Sequence, residues 1–260
     1  MTIQAYNLKA IVSGNIIEFY RYQDTMFKGY ENKKTGGGSS GDYYDSDGNR
    51  MTIDPETGEM IPKKLESRAR SNIRARNTIR RLALSNFSNK SKFLTLTFRE
   101  NIDDFDRANK MFKAFVRKMK KEQNDFKYLA VIEFQERGSI HYHMLCNMKY
   151  MRANKIREHW HSVVGKDNGN IDIQRITHVD NIGAYVVKYM TKSDADERLI
   201  GKKMYQRSRG MDEPKELVGA QAEYIMAQLE KEGKKIVYSS SYENKQTGNK
   251  IEYIEYNMKR

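Results

Sequence analysis

Tyr128-Leu129-Ala130-Val131-Ile132-Glu133-Phe134, then Arg137-Gly138-Ser139, then His141-Tyr142-His143-Met144-Leu145-Cys146-Asn147-Met148: this stretch decides the fold. Both apolar runs are rich in β-formers, and the short Gly-containing link between them reads as a turn. Two strands joined this closely pair antiparallel. Working outward, Phe93-Leu94-Thr95-Leu96-Thr97-Phe98 is a strand. Residues 103–121 place Phe105, Ala108, Met111, Phe112, Phe115 and Met119 on the inner side of a helix, with Arg107, Lys110, Lys113, Arg117, Lys118, Lys120 and Lys121 outside. Downstream, the pattern predicts a helix over 153–164, a strand over 171–176 and a helix over 180–192. The order β-α-β-β-α-β-α predicts an α+β fold: an antiparallel sheet in the split βαβ arrangement, with helices on one face.

The flanks read differently. Residues 6–22 form two strands around Ser13-Gly14-Asn15, and 31–62, with Gly36-Gly37-Gly38-Ser39-Ser40-Gly41, read as a flexible polar loop. Residues 63–86 read as a basic helix. After Pro214 come a helix over roughly 215–232 and a hairpin from Ile236 to Tyr242 and Ile251 to Tyr256. The expected division is 1–62, 63–210 for the main domain, and 211–260. Whether the two ends extend the main sheet or form a separate unit is open at this stage.

The 260 residues carry 47 Lys+Arg against 34 Asp+Glu, a net +13. Residues 61–210 hold 33 basic and 16 acidic side chains, while both ends are slightly acidic. A polyanion is the expected partner, with nucleic acid first. No apolar run reaches the length of a membrane span, no secretory leader is visible, and the single Cys146 fits a reducing compartment, so the expectation is a cytoplasmic protein with no membrane partner.

Four of the five histidines form His-x-His pairs. On a strand, residues two apart share a face, so His141 and His143 present two imidazoles side by side. On a helix they diverge by about 200°, so His159 and His161 read as structural or DNA-facing. Glu133, on the preceding strand, reaches the same face as His141 and His143, whereas Glu136 falls in the turn. Two imidazoles and a carboxylate suit Mn²⁺ or Mg²⁺ with open positions, as well as Zn²⁺. In the helix of residues 183–192, Tyr185 and Tyr189 are four apart on one face, and Lys188 and Lys192 are four apart beside them. A phenolate can attack phosphorus, and a nearby ammonium favours the phenolate and neutralises phosphate charge.

The strand 93–98, the His-x-His strand 140–145 and the tyrosine helix 185–192, in this order and spacing, resemble the rolling-circle replication initiators (Rep proteins) of the HUH endonuclease superfamily, in the two-tyrosine form found in bacterial plasmids and phages. The resemblance covers roughly residues 68–215. It implies a palm of the RNA-recognition-motif or ferredoxin-like kind, and an enzyme that nicks one strand at an origin, forms a 5′-phosphotyrosine bond and later rejoins the strand. By this likeness His141, His143 and Glu133 are the metal ligands, Mn²⁺ or Mg²⁺ is the cofactor, and Tyr185 or Tyr189 is the nucleophile. Tyr185 is favoured for the first cleavage because Lys188 follows it, although Tyr189 stands in the same relation to Lys192. Tyr142 departs from the usual aliphatic middle residue, but on a strand it points away from the metal face.

Expected partners are single-stranded or hairpin origin DNA, with a host helicase and polymerase. No Gly-x-x-x-x-Gly-Lys-Ser/Thr loop is present, so no nucleotide cofactor is expected. Arg68, Arg70, Arg74, Arg76, Arg80 and Arg81 are candidate phosphate contacts from one helix, and Lys202, Lys203, Arg207 and Arg209 flank Tyr205 as a candidate grip on single-stranded DNA. A transposase or relaxase with the same chemistry is the nearest alternative. A non-catalytic RNA-binding module with the same strand order is the rival from another class, and it needs exposed aromatics on its central strands.

Overall fold

The computed structural model describes residues 3–29, 43–44, 46, 50–53, 60–135, 137–177, 179, 181–191, 202–203, 205–244 and 247–260. In chain order the elements are β1 (Gln4–Ser13), β2 (Ile16–Lys28), β3 (Tyr43–Tyr44), β4 (Arg50–Ile53), β5 (Met60–Pro62), α1 (Lys63–Asn86), β6 (Lys92–Phe98), α2 (Phe105–Glu122), β7 (Tyr128–Phe134), β8 (Ile140–Cys146), α3 (Ala153–Val164), β9 (Gly169–Arg175), α4 (Ile182–Thr191), β10 (Tyr205–Arg207), β11 (Lys215–Val218), α5 (Ala220–Lys231), β12 (Ile236–Glu243) and β13 (Lys250–Asn257). They divide into two compact units: Ala69–Glu213, and Met1–Arg68 together with Pro214–Arg260.

The first unit carries the predicted β-α-β-β-α-β-α order in an antiparallel sheet, β10-β7-β8-β6-β9. Alternation along the strands sorts the side chains. Leu94, Leu96, Ala130, Ile132, Tyr142 and Met144 face Phe112, Phe115 and Met119 of α2 and Ile156 and Trp160 of α3. Each fully buried aromatic of this kind contributes on the order of 2–3 kcal/mol. The α2 helix starts where Asp104 accepts from the backbone N–H groups of Asp106 and Arg107. Helices were expected on one face only, but Phe93, Leu129, Val131 and Leu145 pack on the opposite face against Ile79 and Leu82 of α1 and Ile182 and Val186 of α4. The reason is legible in β8, which is buried along its whole length: a strand apolar on both sides needs cover on both sides.

The second unit contains the sheet β11-β1-β2-β13-β12, so the two ends of the chain share one sheet rather than extending the main one. Gly14, at φ +57, opens the two-residue turn between β1 and β2, the place where a hairpin needs a positive φ. One face packs Leu8, Ala10, Phe19 and Ile254 against Ala222, Met226 and Leu229 of α5. Residues 215–218 were expected to begin the last helix. They are strand β11 instead, because pairing with β1 buries Leu217 and Val218 and Gly219 at φ +56 delays the helix. The stretch read as loop contains the small sheet β3-β4-β5, while its Gly/Ser run lies outside the described residues. Among the described residues no helix is long and apolar enough to cross a membrane.

Candidate active site on the histidine face of the sheet

The register places the site. Glu133 of β7 stands opposite His141 of β8, and Thr95 of β6 stands opposite both His143 of β8 and Asp172 of β9. With period two, His141, His143, Glu133, Thr95 and Asp172 therefore share one face, the one against which α4 packs. Asn181 starts α4 by accepting from the backbone N–H of Ala184 through its side chain, and Tyr185 N donates to the Asn181 carbonyl. Gly183 lets α4 approach α1 closely: a Cβ there would lie 2.5 Å from the Arg80 carbonyl oxygen.

This crossing holds both tyrosines over the histidines. The Tyr189 ring stacks on His143 at 4.1 Å between centroids, and Phe93 stacks on Tyr189 at 5.0 Å. The Tyr185 hydroxyl donates to Gln174 Oε1 at 3.0 Å, and the Tyr189 hydroxyl donates to the Tyr185 oxygen at 3.5 Å. Lys188 Nζ sits 4.1 Å from the Tyr185 ring centroid and 4.9 Å from that of Tyr189. Burial, together with the Tyr185 hydrogen bond and the Glu133 and Asp172 carboxylates, raises the Tyr189 phenol above its ordinary pKa.

His143 Nε2 lies 2.5 Å from Glu133 Oε2, and its Nδ1 lies 3.1 Å from Thr95 Oγ1. In the neutral ring with Nε2–H donating to the carboxylate, Nδ1 accepts from the threonine hydroxyl. His141 Nε2 is buried and has no hydrogen-bond partner. Burial, then the neighbouring His143, brings the His141 imidazole down to about 4, so it is neutral at physiological pH. A buried neutral imidazole with an idle nitrogen, a second imidazole with centroid 6.4 Å away and a carboxylate on the same face form a donor set that fits a divalent cation. Among the described residues no three His, Cys, Asp or Glu side chains stand at coordinating spacing, since Glu133 and His143 bond to each other. Taking up a cation requires that pair to open.

The second histidine pair diverges as expected for a helix. His161 Nε2 bonds the Gly169 carbonyl at 2.9 Å, and His159 Nε2 lies 3.3 Å from Glu122 Oε1. Of the candidate DNA contacts, Arg74, Lys203 and Arg209 are exposed, and Arg80 flanks Gly183. Arg76 and Arg81 are half-buried on α1. Lys202 pairs with Asp106, and Arg207, in strand β10, pairs with Glu213. The side chains of Arg68 and Arg70 and the whole of Lys192 lie outside those described. Thr95, Gln174 and Phe93 belong to the site and were missed. The signal was available, because the alternation that puts His143 on this face also puts Thr95 and Phe93 there from the neighbouring strand.

Residues 91–194, about two fifths of the chain, match the family model of the ORF2-type replication-associated protein. The matched segment runs from β6 through α4 and includes both histidines, Glu133 and both tyrosines. The match supports a replication initiator of the Rep type. No curated protein and no solved structure matches the chain.

Proposed function

We propose that the chain is a DNA-nicking and strand-transfer enzyme that initiates rolling-circle replication. The observation that carries this reading is the seating of the tyrosine helix on the histidine face, with Tyr189 stacked on His143 and Lys188 beside both phenol rings. Tyr185 is the first nucleophile. Its hydroxyl holds its proton at Gln174 Oε1, at the rim of the site, whereas the Tyr189 ring is stacked between Phe93 and His143 and its phenol is harder to ionise. The Tyr185 oxygen forms a bond to phosphorus while the bond from phosphorus to the 3′ oxygen breaks, leaving a 5′-phosphotyrosine and a free 3′-OH. Lys188 steadies negative charge as the phenol loses its proton. Tyr189 is placed to accept the strand in a second transfer. His141, His143 and Glu133 would hold a Mn²⁺ or Mg²⁺ ion, whose chemistry is Lewis-acid polarisation of the scissile phosphate.

An RNA-recognition module would need open aromatics on the central strands. The one aromatic on this face of β6, Phe93, is 1% exposed, and α1 and α4 cover the region. The test is to incubate the protein with Mn²⁺ and single-stranded oligonucleotides tiled from the DNA around its own gene. A covalent adduct should survive a denaturing gel in wild type and disappear in His141→Ala/His143→Ala. Absence of any adduct across the tiling refutes the enzyme.

A further inference from the structure

We infer that the exposed face of α2 is a second nucleic-acid surface, one that grips duplex DNA by its phosphates on the side of the sheet away from the tyrosines. Lys110, Lys113, Arg117, Lys120 and Lys121 are all exposed. At 100° per residue they fall within an arc of about 100°, spread over about 16 Å of helix. That arc lies opposite the buried stripe of Ala108, Phe112, Phe115 and Met119, which packs on the sheet face away from His141 and His143. A helix face that is merely solvated interleaves both signs at i, i+4. Here the helix has only two acids, and both are engaged at its ends: Asp106 with Lys202, and Glu122 with Lys155.

Other surface cations of the same unit carry their neutralising partner, as in Arg107–Glu100, Lys149–Asp125 and Arg207–Glu213. Among the described residues Lys113, Arg117, Lys120 and Lys121 have none. The whole-chain charge supports the asymmetry: Ala69–Glu213 holds 30 Lys+Arg and 17 Asp+Glu, while the rest of the chain holds 17 of each.

The chemistry of the face selects the form of the polyanion. Surfaces for single strands offer aromatic rings for base stacking. In α2, Phe112 and Phe115 are fully buried and Phe105 lies under Lys202, so the stripe presents charge without rings. Such a surface reads phosphates alone, and duplex DNA offers them most densely, one per about 1.7 Å of axis. The inference rests on the replication reading only for its choice of DNA among polyanions.

The test compares wild type with Lys113→Gln/Arg117→Gln/Lys120→Gln/Lys121→Gln. Glutamine keeps helix propensity, and circular dichroism checks that α2 persists. Lys149→Gln/Lys155→Gln, which removes acid-paired cations, controls for net charge. Probes are a blunt duplex of arbitrary sequence, oligo(dT) and phosphatidylserine vesicles. The quadruple variant should lose at least about tenfold in duplex affinity, and its slope of log K against log salt should shrink by about 3 to 4. The control should do neither, and oligo(dT) binding should stay within about twofold. An unchanged duplex affinity and slope overturns the inference. So does an equal loss on oligo(dT), which would make the stripe part of a single-strand path, or a loss confined to vesicles. The adduct assay reports the nicking reading separately, so either can fail alone.

Discussion

Gly183→Ala tests whether the tyrosine helix is positioned by its crossing with α1. The added Cβ would sit 2.5 Å from the Arg80 carbonyl oxygen, 2.8 Å from Arg80 Cγ and 3.0 Å from the Arg80 carbonyl carbon. Two of these atoms are backbone and cannot swing aside. A carbon–oxygen contact relaxes only near about 3.3 Å, so α4 must retreat by about 0.8 Å or α1 must yield by as much. The retreat loosens Ile182 and Val186 from a buried cluster with Ile79 and Leu82. Overpacking of this kind costs about 1–3 kcal/mol. Because α4 carries both phenols, the same displacement moves the nucleophile, and an error near 1 Å lowers a positioned reaction by on the order of 10²-fold. Urea unfolding gives the first quantity and single-turnover adduct formation the second. Gly210→Ala, at φ +67 with open space around its Cβ, is the contrast: a small stability loss and normal chemistry. Wild-type stability together with an adduct rate within twofold of wild type would refute the argument.

Other outcomes follow from the site and its supports. Tyr185→Phe should reduce first-strand adduct to background while Tyr189→Phe retains it; adduct that persists in Tyr185→Phe and vanishes in Tyr189→Phe reverses the assignment. Glu133→Gln should weaken Mn²⁺ binding by about tenfold or more in isothermal titration, and an unchanged affinity removes Glu133 from the ligand set. For the metal-free chain, folded His141 titrates near 4 against an ordinary 6.5. Above about pH 6.5 both states carry it neutral. Below that the unfolded chain takes the proton first, so stability should fall by about 3 kcal/mol on going to pH 4; urea midpoints in chelator measure this, and the drop should shrink in His141→Gln. Burial pushes the Cys146 thiol up to about 12, so alkylation at neutral pH should require unfolding; rapid labelling of the native chain contradicts the packing of β8.

The β-α-β-β-α-β-α core was legible because each of its elements has strong local periodicity: β7, α1 and α3 run over the ranges the pattern predicts. The histidine face was legible for the same reason, since alternation alone puts His141, His143 and Glu133 together. What escaped depends on partners distant in sequence. β11 is a strand because β1 is beside it, and Lys215-Glu216 has no strand propensity of its own. β10 is three residues added to the edge of β7, too short for any periodicity. The roles of Thr95 and Gln174 depend on the register between β6, β8 and β9, which no single segment encodes.

The sheet that joins the two ends of the chain has a consequence for biosynthesis. β13 lies in its interior, hydrogen-bonded to β2 on one side and β12 on the other. The last strand to leave the ribosome is therefore the one on which the first two wait. Ala69–Glu213 can complete its own sheet while Gln4–Lys28 is still without its neighbour. A reading frame cut just before Lys250 would not trim an edge; it would leave the exposed face of β2 as an unpaired template and strand β12 with nothing to bond.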